Sequence, residues 1–76
     1  MVFRLRFLYP SGHAAATMYT RADDLDEATR KGRAVVRERL HPSFFEATAA
    51  LRGDVRFYQA EAVGPELPVP PNAIWV

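Results

Sequence analysis

The stretch Val2-Phe3-Arg4-Leu5-Arg6-Phe7-Leu8-Tyr9 places Phe3, Leu5, Phe7 and Tyr9 on one side and Arg4 and Arg6 on the other. Successive side chains of a strand point to opposite faces, so this period of two marks a half-buried β-strand with an apolar inner face. Pro10-Ser11-Gly12 comes next. Proline presets the first dihedral of a turn and glycine permits positive φ, so the chain reverses here. Residues 14–21 return as an antiparallel strand. The Ala14-Ala15-Ala16 start is a weak strand former, but Thr17, Tyr19 and Thr20 favour strand.

The pattern then changes from two to 3.6. Asp24 before Leu25, with Glu27 three residues on, is a capping-box signal for a helix start. Leu25, Ala28, Gly32, Val35, Val36 and Leu40 form one apolar stripe of a helix over residues 24–40. Glycine inside a helix costs about 1 kcal/mol relative to alanine, so Gly32 on that stripe implies close approach of helix and sheet. Acids in the first turn and Arg37 and Arg39 late suit the helix dipole, and Glu27 and Lys31 stand four apart. Pro42 restricts His41 and so ends the helix.

Residues 43–52 read two ways. Ser43 with Glu46, the alanines and Gly53 favour a short helix, with Phe44, Phe45, Thr48 and Leu51 on one face; the competing reading is a strand from 46 to 52 turning at Gly53-Asp54. Residues 55–63 form the last strand. Val55, Phe57, Gln59 and Glu61 share a side, and the two polar residues imply that the strand leaves the core midway. From Gly64 onward, Pro65, Pro68, Pro70 and Pro71 impose extended backbone, and Ala73-Ile74-Trp75-Val76 ends on an apolar note.

The fold class is therefore α+β: a small two-layer sandwich, ββα(α or β)β, with a three- to four-stranded, mainly antiparallel sheet on one helix. Residues 1–63 form the single domain and 64–76 an extended, proline-rich C-terminal tail. Seventy-six residues leave no room for a second domain. A quarter of the chain is charged and nearly half is apolar, which fits a folded protein. Cysteine is absent, which excludes disulfides and thiolate metal sites and fits a reducing, cytoplasmic setting. No apolar run is long enough to cross a membrane, and the opening residues lack the order of a signal peptide. Net charge is +1, so long-range attraction to nucleic acid or anionic membrane is weak and any such binding must come from local patterning.

Paired in this way, the strands place Arg4, Arg6, Thr17, Tyr19, Arg21, Arg56 and Tyr58 on one sheet face. Arginine and tyrosine are contact residues: one forms planar, stackable, bidentate contacts and the other stacks. The candidate contact residues are Arg4, Arg6, Tyr19, Arg21, Arg56 and Tyr58. Ile74 and Trp75 are the candidate docking residues of the tail, either onto this molecule, into a partner subunit or into another protein. The leading functional reading is a small non-enzymatic interaction module, regulatory or accessory, that contacts another protein or a second copy as a homodimer. The alternative is a nucleic-acid binder in which the same arginines neutralise phosphate and the tyrosines stack on bases. The helix arginines Arg30, Arg33 and Arg37 read as a solvated outer face. His13 beside Ser11, and His41 before Pro42-Ser43, read as turn and helix-end residues, with no nucleophile motif, glycine-rich phosphate loop or metal-ligand spacing around them. No cofactor is expected. Arg52-Gly53-Asp54 reads as a turn or a helix stop.

Overall fold

The structure, a computed structural model, describes residues 1–38, 55–64 and 68–76. The readings for residues 39–54, including the choice between helix and fourth strand, and for Pro65 lie outside the described residues. Strand β1 (Val2–Leu8) and strand β2 (Ala14–Arg21) form a hairpin, helix α1 (Leu25–Glu38) follows, and strand β3 (Arg56–Ala62) completes the order. The sheet runs β2-β1-β3 with both pairings antiparallel. This is the α+β arrangement of a three-stranded antiparallel sheet and one helix that the periodicities imply.

Local chemistry accounts for each boundary. In the hairpin turn Gly12 N donates to Tyr9 O at 2.8 Å and Tyr9 N to His13 O at 2.9 Å. Pro10 supplies the preset φ, and Gly12 takes φ +92°, where a side chain would be strained. At the start of α1, Glu27 N donates to the Asp24 carboxylate at 2.8 Å, which satisfies an otherwise orphaned amide. The Glu27 side chain lies 3.7 Å from Lys31 one turn on. Lys31 Nζ also donates to Arg21 O at 2.6 Å and so ties the helix to the end of β2.

The core lies between α1 and the inner face of the sheet. Phe3, Leu5, Phe7 and Met18 meet Ala28 and Val35, with Ala22 and Val55 closing the ends. Leu25 departs from its expected place on the helix's inner stripe and is 52% exposed. The buried stripe is the narrow line Ala28, Gly32, Val35. Leu25 stands on the flank toward β3, four residues before Thr29, and both line the groove between helix and strand.

The course of β3 also differs from its simple alternation. Arg6 pairs with Gln59 but Phe7 pairs with Phe57, so Tyr58 is an extra residue in a β-bulge. The bulge reverses the parity of the strand. Phe57 points toward the helix on one side of it and Ala60 does so on the other, while Gln59 and Glu61 turn to the outer face. The strand changes which residues face inward and keeps contact with the core as far as Ala60, while Ala62 is exposed.

Close approach at Gly32 is the second consequence. A Cβ built on Gly32 would lie 2.9 Å from Phe57 Cζ and closer still to Cδ1 and Cε1. The Phe57 ring is itself held edge-on to Phe7, with centroids 5.7 Å apart. Gly32→Ala is therefore expected to lower stability by about 1–3 kcal/mol, the usual cost of overpacking, although alanine is the better helix former. In a Phe57→Leu background the same substitution should stabilise. Urea unfolding followed by circular dichroism reads both, and a stabilising Gly32→Ala in the native background would contradict the contact.

Candidate functional site

The sheet face opposite α1 carries the candidate residues, and cross-strand register brings them together. Arg4 lies directly between Tyr19 of β2 and Glu61 of β3, and Arg6 between Thr17 and Gln59. Arg4 Nη2 donates to Glu61 Oε2 at 2.8 Å, and Arg6 Nη1 reaches Glu61 Oε1 at 3.5 Å. The Gln59 amide donates to the same Oε1. Glu61 thus gathers three donors, and charge-assisted bonds of this kind are the stronger ones. The Gln59 bond first and the Arg4 bond second hold its carboxyl below the ordinary glutamate value, against the opposing effect of desolvation. Arg4 Nε is buried and has no hydrogen-bond partner among the described residues.

The six arginines and tyrosines divide into two groups and one outlier. Arg6 stacks over Tyr58, 5.5 Å from guanidinium carbon to ring centroid, and joins Arg4 in the Glu61 cluster. Tyr58 is 54% exposed. On the other side Trp75 lies against Tyr19, with ring centroids 5.9 Å apart, and Arg21 covers the indole at 5.1 Å. Tyr19 is consequently only 6% exposed, although it points away from the helix. Arg56 stands apart, opposite Leu8, and donates to Pro10 O at 3.2 Å.

The two tail residues take opposite sides. Trp75 bridges to Tyr19 in parallel, with Tyr19 N donating to Ile74 O at 2.8 Å and Val76 N to Tyr19 O at 2.9 Å. Ile74 packs on the core while Trp75 lies on the outer face, 41% exposed.

Sequence reasoning missed Glu61 and Gln59 as members of this face, because alternation without a bulge sends them inward. A signal was present. Two arginines spaced by two on one strand call for an acceptor spaced likewise on its neighbour.

Elsewhere, a groove of about 520 Å³ runs between α1 and β3. Leu25, Val36 and Phe57 contribute apolar lining, and Arg33, Arg37 and Arg56 are its charged residues. Two of the three helix arginines, Arg33 and Arg37, border this groove and remain exposed. Ser11 Oγ lies 2.9 Å from His13 Nδ1 in the exposed hairpin turn and also accepts from His13 N, so the pair is a local turn contact. Among the described residues no group of three or more His, Cys, Asp or Glu could hold a metal ion, and no described helix is long and apolar enough to cross a membrane.

The depressed Glu61 pKa has a defined pH signature. A carboxyl whose pKa is lower folded than unfolded adds stability that is complete above about pH 4.5 and fades as pH falls through the folded value. Glu61→Gln is expected to flatten that part of the profile. Urea midpoints measured across the acid range check it, and equal slopes for the two proteins would contradict the cluster. No family model, curated protein or solved structure matches this chain.

Proposed function

We propose that the chain is a small non-enzymatic interaction module, regulatory or accessory, that meets another protein or a second copy of itself through the outer face of its sheet. One observation carries the reading: Arg4 and Arg6 are both engaged by one carboxylate within the face. Glu61 takes up Arg4 and Arg6, and the exposed rings of Tyr58 and Trp75 project beside the exposed Arg21 and Arg56. Surfaces rich in arginine and aromatic rings have the composition of protein contacts. The absence of cysteine accords with a reducing, cytoplasmic setting.

Nucleic-acid binding ranks second on the same observation. A phosphate approaching Arg4 and Arg6 would meet the Glu61 carboxylate between them and would have to displace it. Such binding would also weaken linearly with the logarithm of salt concentration, by roughly 0.7–0.9 of a log unit for each phosphate neutralised.

A photo-crosslinking residue at position 58, with one at position 30 on α1 as control, tests the reading in native lysate with and without nuclease. A protein adduct, or a dimer, formed from position 58 and unaffected by nuclease is the expected result. Binding to the captured protein should fall about tenfold or more on Tyr58→Ala, as at a contact hot spot, and respond little to salt. Adducts that vanish with nuclease, together with a salt slope reduced by Arg4→Ala, would move the nucleic-acid reading to first place.

A further inference from the structure

Tyr19 is a residue of β2 whose backbone faces away from β1. Its N–H and C=O both bond to the tail, and the alternation of an antiparallel pair turns the same groups outward at Thr17. Three side-chain features surround this edge. Ile74 enters the core cluster from the inner side. On the outer side Tyr19 and Arg21 form a clamp on the Trp75 indole. Thr20, fully buried, sends its hydroxyl to Val76 O at 3.1 Å. A buried donor aimed at the tail backbone is costly to leave unmatched, so the edge is built for an occupant.

We propose that this edge of β2 is an acceptor site for an extended peptide strand from a partner protein, of the pattern aliphatic-aromatic-aliphatic in parallel register, and that residues 74–76 are its resident, displaceable occupant. The resident strand displays the required chemistry: an aliphatic side chain inward, an aromatic ring between Tyr19 and Arg21, and a carbonyl for Thr20. It is held briefly, by two backbone bonds at a single residue. A partner strand long enough to reach Thr17 as well gains pairing that the tail does not make. This site is an edge, distinct from the contact mapped at Tyr58, and strand addition to an edge is a known mode of peptide recognition.

Trp75 is the single tryptophan of the chain, so its emission reports on the site directly. The full chain is titrated with a synthetic peptide of residues 68–76 carrying Trp75→Phe, which is silent at the tryptophan wavelength. Such a peptide makes nearly the same contacts as the tethered tail and competes with the tail's effective concentration, about millimolar for a short linker. The expected result is a saturable red shift of Trp75 emission, with acrylamide quenching rising to that of a free peptide and far-ultraviolet circular dichroism unchanged. A scrambled peptide should do nothing. The proposal is overturned if Trp75 already emits as free indole in the native chain, if its emission stays unchanged at peptide concentrations well above millimolar, or if the shift comes only with loss of secondary structure. The readout is confined to Trp75, so its failure is separable from failure of the crosslink at position 58.

Discussion

Tyr58, the unpaired residue of the bulge in β3, sets what both faces of the sheet can be. With the bulge, Phe57 turns inward against Gly32 and Phe7, and Glu61 turns outward between Arg4 and Arg6. Without it, every side chain beyond Phe57 would change face. Glu61 would then enter the core, and the two arginines would lose their counter-charge. Bulges are conserved design elements rather than defects, and here one residue reconciles an apolar inner face with an outer one on which Glu61 meets Arg4 and Arg6.

The rest of the packing follows from how little material there is. A chain this short buries only about 60% of its unfolded surface, so each large side chain carries a high share of the stability. Central strand β1 supplies three of them in Phe3, Leu5 and Phe7, all fully or nearly fully buried. The helix answers with small residues, Ala28 and Gly32, and this lets its backbone come down onto the rings. The helix gives up some intrinsic propensity at Gly32, and the gain is contact with Phe57.

Much of this was legible in the residues. The hairpin, the Asp24 cap, the inner stripe through Gly32 and the shared face of Arg4, Arg6, Tyr19 and Arg21 rest on local rules, each decided within a few residues of chain. Three things were not legible. The bulge at Tyr58 depends on which strand lies beside β3, a non-local fact. The exposure of Leu25 depends on where the sheet stops beneath the helix. The burial of Tyr19 depends on Trp75, distant in sequence, coming to lie over it. Period-two reasoning predicts which way a side chain points, but not what comes to cover it.

Edges of sheets are hazards, because a row of unpaired amides and carbonyls invites another strand and, repeated from chain to chain, a fibre. On β2 the run from Met18 to Thr20 is buried on both faces and would be an apt template if bare. A single parallel bridge between Trp75 and Tyr19 closes that edge. The segment leading to it contains Pro68, Pro70 and Pro71, which have no amide to donate, so the cover offers little pairing surface of its own. The tail therefore ends the sheet on β2's side with residues poorly suited to extending it.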